Sequence, residues 1–294
     1  LDRGLRFQRP VRIIGGFEGE GWRPGEGRSS LRLLSDSEAT AERAGEEAAV
    51  SFALSNGGSL TLRRVDLTSR TGRPLMRIES GASFFLEESL LDSDAHVAVE
   101  LQGGDLRVTN ASILVPRGGR AIEGGQGSSL ELSGSELSPI ELNRVDYTIV
   151  DSVLTATPIT TEAATALVAR ESRGTLRDSV VRSDAREEQL LLLEIVAGRL
   201  RIDGSEIVGE AGTGITLLRS RNSDITIDRS ELRAAGASSY LYGVISRGGN
   251  MVVTNSLLTA TESNSALGFS IQGGALDFAH NTVLFGSLRQ SYLL

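Results

Sequence analysis

The sequence predicts an all-β solenoid, a right-handed parallel β-helix of about 11–12 coils of 22–27 residues, on three observations. A short apolar pattern returns about every 25 residues, Gly-rich corners lead into it, and aromatic residues make up only 4% of the chain. The pattern reads apolar, any, apolar, any, any, small, any, apolar. It starts with Leu60, Leu62, Val65 and Leu67, and returns with Phe84, Leu86, Ser89 and Leu91, then Leu106, Val108, Ala111 and Ile113. Further copies begin at Leu130, Tyr147, Gly174, Leu200, Ile225, Met251 and Leu276. The ten copies start 24, 22, 24, 17, 27, 26, 25, 26 and 25 residues apart. One such unit cannot bury its apolar side alone, so copies must stack on one another.

Alternation with period two marks a strand with one buried face. The step before the small residue breaks the alternation. It carries Asn110, Gly134, Asp151, Asp178, Gly204 and Asn255, residue types that tolerate the left-handed backbone of a sharp bend. Each copy is therefore strand, bend, short strand. A further strand leads into each Gly corner: Val50, Phe52 and Leu54 before Gly57-Gly58; Val97, Val99 and Leu101 before Gly103-Gly104. The same holds for Leu241, Val244 and Ile245 before Gly248-Gly249, and Leu267, Phe269 and Ile271 before Gly273-Gly274. The small position is most often Ser, and stacking sets those hydroxyls one above another. Ser135, Ser152, Ser179, Ser205, Ser230 and Ser256 are read as a structural ladder rather than as nucleophiles.

The whole chain, 1–294, is read as one β-helix domain and as part of a longer or processed chain, since it begins at Leu1 without a signal peptide. Residues 1–50 form irregular coils with a polar, Ala/Glu-rich loop at 35–49. Regular coils fill 50–286, and 287–294 form an apolar end. Loops of uneven length follow the last apolar residue of each coil, so they line one side. Their charges are mixed and give no single-sign stripe.

Composition narrows the chemistry. The chain has no Cys, which removes disulfides, thiolate nucleophiles and thiolate metal sites. All 30 basic residues are Arg, so lysine Schiff-base chemistry is excluded. The net charge of −8 argues against nucleic acid. No apolar run is long enough for a transmembrane helix.

The coils resemble the right-handed parallel β-helix repeat family with the pectin-lyase-like fold, from about residue 10 to 286. The segment Ile14-Gly15-Gly16-Phe17 with Trp22 is similar to an early motif of bacterial secreted and surface members. The resemblance implies an extracellular or cell-envelope protein of bacterial type. Members include polysaccharide lyases and hydrolases, adhesins and surface proteins, so the fold leaves function open. The enzyme motifs of such members are absent: there is no Asp-Asp, no Gly-His-Gly and no Trp-Ile-Asp-His.

A non-enzymatic structural, adhesive or assembly role is the expectation, without cofactor or metal. Two readings compete with it: a diverged polysaccharide lyase or hydrolase, and a phage tailspike-like or modular surface domain. The expected partners are other proteins or copies of itself at open solenoid ends, with glycans as a further class. The strongest catalytic candidates are Asp203 and Asp228, which stacking places in register. Arg177, one coil earlier in the same row, would offset their charge. Asp92, Asp94 and His96 form a weaker binding cluster. His280 is read as a turn residue, and Trp22 and the tyrosines as forming no row.

Overall fold

The structure is a computed structural model. It describes the backbone of residues 5–7, 11–14, 17–18, 23–24, 29–34, 52–55, 57–70, 72–158, 163–183, 189–210 and 212–292, and the side chains of Val11 and of those segments between 52 and 286. Val50, Gly15-Gly16, Trp22, the polar loop 35–49, Leu293 and Leu294 lie outside the described residues, as do the side chains of Leu288 and Tyr292. The described backbone near the early motif forms a small antiparallel ribbon, Phe17 opposite Pro24. The chain divides into two compact units, Leu1–Ser138 and Pro139–Leu294. Each is a parallel β-solenoid, and all named elements in both are strands.

In the first unit each coil has three strands. The first coil with described side chains runs through Ser59–Arg63, Val65–Arg70 and Met76–Glu79. The next runs through Ser83–Glu87, Leu90–Ser93 and Val97–Gln102. First strands pair in parallel, coil upon coil, which puts Leu60, Phe84, Leu106 and Leu130 in one row and Leu62, Leu86, Val108 and Leu132 in another. All eight are buried. Each fully buried aliphatic side chain is worth about 1.5–3 kcal/mol relative to exposure.

The second unit repeats this plan. Its first strands are Asp146–Val150, Arg173–Arg177, Arg199–Asp203, Asp224–Asp228, Asn250–Thr254 and Ala275–Ala279. Their inward rows are Ile149, Leu176, Ile202, Ile227, Val253 and Phe278 on one line, and Tyr147, Gly174, Leu200, Ile225, Met251 and Leu276 on the other. Its third strands include Gln189–Val196, Gly214–Arg221 and Tyr240–Arg247.

The predicted bends are present. Asn110, Gly134, Asp151, Asp178, Gly204, Asn255 and His280 all have φ between +48° and +60°. At two of the glycines, space adds to backbone freedom. A Cβ on Gly134 would lie 2.2 Å from Asn110 Oδ1, and one on Gly204 would lie 2.5 Å from Asp178 Oδ1. The bend side chain of one coil thus lies over the bend glycine of the next. Less expected occupants of the same bend are Arg64, Glu88 and Arg229, at φ of 55°, 48° and 49°.

The serine ladder forms as predicted. Each serine hydroxyl donates to the carbonyl two residues earlier: Ser152 to Val150 at 2.7 Å, Ser179 to Arg177 at 2.7 Å, Ser230 to Asp228 at 2.7 Å. The same oxygen accepts the backbone N–H of the preceding coil: Ser152 N to Ser179 Oγ at 3.1 Å, Ser179 N to Ser205 Oγ at 3.2 Å, Ser205 N to Ser230 Oγ at 3.2 Å, Ser230 N to Ser256 Oγ at 3.1 Å. Asn281 takes the final place, its Oδ1 accepting from Ser256 N at 2.8 Å.

Candidate functional site

Asp203 and Asp228 stand opposite each other on adjacent first strands of the second unit, as the repeat requires. They are not an unpaired acidic couple. Asp203 Oδ1 accepts from Arg229 Nη2 at 2.6 Å and Nε at 3.1 Å, and its Oδ2 lies 3.4 Å from Arg201 Nη2. Asp228 Oδ1 accepts from Thr254 Oγ1 at 2.8 Å and from Asn255 Nδ2 at 2.9 Å. Arg229 Nε also lies 3.5 Å from Asp228 Oδ2. The guanidinium of the bend residue therefore bridges the two carboxylates. Arg177 does not supply the offset expected of it; it lies 3.6 Å from Asp178 instead.

Hydrogen bonding from Arg229 holds Asp203 below the usual carboxylate range, and Asn255 followed by Thr254 does the same for Asp228. Both groups are carboxylates at neutral pH. They can orient hydroxyls or polarise a bound group, but they hold no proton to donate.

Asp92, Asp94 and His96 face three different partners. Asp92 Oδ2 pairs with Arg70 Nη2 at 2.5 Å. Asp94 Oδ1 accepts the backbone N–H of Gly72 at 2.9 Å. His96 Nε2 lies 3.1 Å from Arg120 Nη1. Among the described residues no group of three or more His, Cys, Asp or Glu side chains is placed to hold a metal ion. His280 sits at the bend with φ of 58°.

The structure brings together residues that the repeat alone left scattered. Tyr240 and Tyr242 form a pair with ring centroids 5.2 Å apart at 48°, both partly exposed on one third strand. A Cβ on Gly214, in the preceding coil, would lie 2.4 Å from Tyr240 Cζ, so the ring rests on bare backbone. The pair lies along one strand and does not make a row running from coil to coil. On the same strands, Arg221 and Arg247 stand in register and exposed, just before the corner at Asn222 and Gly248.

Elsewhere arginines are clasped to acids of the adjacent coil: Arg77 to Glu100 at 2.8 Å, Arg107 to Glu131 at 2.7 Å, Arg144 to Glu171 at 2.7 Å. Among the described residues, the guanidiniums of Arg221, Arg247 and Arg173 have no such partner. A signal for them existed in the sequence. Aligning the third strands on their Gly and Asn corners, rather than only the first strands, stacks Arg221 on Arg247.

No protein-family model matches the chain, and no curated protein matches it. Among solved structures it is similar to the periplasmic alginate epimerase AlgG, at 9% identity over 95% of this chain and 78% of that one, with a TM-score of 0.52. It is also similar to tailspike protein 3 of bacteriophage CBA120, at 12% identity over 99% of this chain and 54% of that one, with a TM-score of 0.41. The likeness to the epimerase is one of fold: the chain is an all-β right-handed parallel β-helix, as its repeat predicts.

Proposed function

We propose that this chain is a glycan-recognising β-helix that works outside the cell or in the cell envelope. The observation that carries the reading is the aromatic pair Tyr240 and Tyr242, 5.2 Å apart and partly exposed on the outer side of a third strand. Aromatic rings with one apolar face open and a hydroxyl at the edge suit a sugar ring, which offers C–H faces and O–H edges. The strand holds them in place, and Gly214 lets Tyr240 lie flat on its neighbour. The fold is shared with an epimerase of the glycan alginate, in keeping with a glycan ligand and a periplasmic or extracellular setting. Among the described residues no helix is long and apolar enough to cross a membrane.

Recognition rather than cleavage is the reading preferred for the Asp203–Asp228 row, because both carboxylates are ionised and bound to Arg229, Thr254 and Asn255. Calorimetric titration of the chain with a panel of neutral and acidic oligosaccharides tests the proposal. Binding is expected, and the Tyr240→Ala, Tyr242→Ala double variant should lose at least tenfold in affinity with an unchanged melting temperature. Equal binding by that variant, or no binding to the whole panel, would overturn it.

A second reading, glycan modification through the same carboxylates, is favoured by their shared row. It requires turnover of a bound glycan that disappears in Asp203→Asn and Asp228→Asn. Binding without turnover excludes it.

A further inference from the structure

We infer that Arg221 and Arg247 form an anion-binding site of the second unit, made for the carboxylate or sulfate groups of a linear glycan. The site rests on the glycan reading above and adds the charge class of the ligand. Three observations lead to it.

The first is an exception in the pattern of ion pairs. The fold clasps arginine to acid from coil to coil, as in Arg107–Glu131 and Arg229–Asp203. At Arg221 the register instead places Arg247 directly alongside. Neighbouring strands are about 4.8 Å apart, and like charges opposed across strands repel. Neither guanidinium has a protein partner among the described residues. An arrangement that repels in the free protein is relieved by an anion shared between the two forks, since guanidinium geometry matches carboxylate and sulfate oxygens two at a time.

The second is the surroundings. Arg219 precedes Arg221 on the same strand and lies 3.6 Å from Glu194. Arg173, likewise without a partner among the described residues, opens the first strand after the same corner two coils earlier. The unpartnered cations thus follow one corner of the unit, as a linear ligand would. The corner carries positive charge on a chain whose net charge is −8.

The third is continuity with the aromatic platform. Strands Gly214–Arg221 and Tyr240–Arg247 carry Tyr240 and Tyr242 at one end and the arginines at the other. Seven residues separate Tyr240 from Arg247, at most about 23 Å of chain. One oligosaccharide can therefore stack on the rings and present its charged substituent to the forks.

The test compares an oligouronate with an uncharged oligosaccharide of equal length, binding to the full chain and to the Arg221→Gln, Arg247→Gln double variant. Single-stranded DNA of similar charge serves as competitor. The oligouronate should bind the native chain at least tenfold more tightly than the neutral sugar, with an advantage that shrinks as salt rises. The double variant should lose that advantage while keeping its affinity for the neutral sugar and its melting temperature.

Equal binding of charged and neutral sugars by the native chain, or a charge preference that survives in the double variant, overturns the anion site and leaves the glycan reading standing. Competition by DNA at equal charge overturns the assignment to a glycan. Binding of neither sugar removes the glycan reading and the site with it.

Discussion

At position 174 the repeat has glycine where its other copies carry Leu, Phe, Tyr, Ile or Met, and Tyr147 is the reason. The two residues are opposite one another in adjacent coils of the second unit. A Cβ on Gly174 would lie 1.9 Å from Tyr147 Cζ, so the large ring of one coil occupies the place of the missing side chain of the next. The ring is buried, which pushes the phenol's pKa up, and its hydroxyl finds no hydrogen-bond partner among the described residues. Gly174→Leu alone should overpack the interior and cost about 1–3 kcal/mol, read as a lower denaturant midpoint. Tyr147→Leu combined with Gly174→Leu restores the ordinary repeat and should recover most of that loss. Tyr147→Phe should be neutral or mildly stabilising, because it removes an unpaired buried hydroxyl. The glycine was visible in the sequence as a gap in the pattern. Its cause was not, because no single-coil reading shows which side chain of the neighbouring coil fills the space.

The unit of construction is the bend with its serine. Ser179 accepts from Ser152 N and donates to Arg177 O, while its own N–H is accepted by Ser205. Ser179→Ala removes the acceptor for one buried N–H and the donor to one carbonyl. A loss of about 1–3 kcal/mol is expected, with faster amide exchange at Ser152 as the local signature. Ser179→Asn should retain part of the bond, since Asn281 already fills that role toward Ser256 N. Strand, bend and ladder were legible because each coil repeats them at fixed offsets. The third strands were legible only as leads into Gly corners. In the second unit the corner residue is Arg144, Glu171, Ala197 or Asn222 more often than Gly, these four at φ of 49–59°. Tertiary stacking imposes the left-handed backbone at Arg144, Glu171 and Ala197, which do not prefer it, whereas Asn222 tolerates it. That is why the Arg221–Arg247 stack escaped a reading centred on glycine.

At the scale of the molecule, each unit is held by contacts between successive coils, so a defect should be felt most strongly by its neighbours. Ile227 is fully buried between Ile202 and Val253. Ile227→Ala should cost about 2–5 kcal/mol. Its amide-exchange footprint should be strongest in Arg199–Asp203 and Asn250–Thr254 and weaker in Asp146–Val150. Uniform loss of protection through the second unit would show that it opens as a single cooperative block instead.

What the sequence determined by itself is the fold. Period, alternation and bend chemistry are local properties that recur in every coil, so ten degenerate copies specify the same strand, the same turn and the same ladder. It also placed Asp203 beside Asp228, because register follows from counting along the repeat. Only the tertiary structure decided what those residues meet. Arg229 turns back from the bend to bind Asp203, Tyr240 lies against Gly214, and Arg221 stands in register with Arg247, with no acid paired to it among the described residues. The physical reason is that backbone register is set by a periodic pattern. The partner of a long charged or aromatic side chain depends instead on which residues the adjacent coil happens to place within its reach.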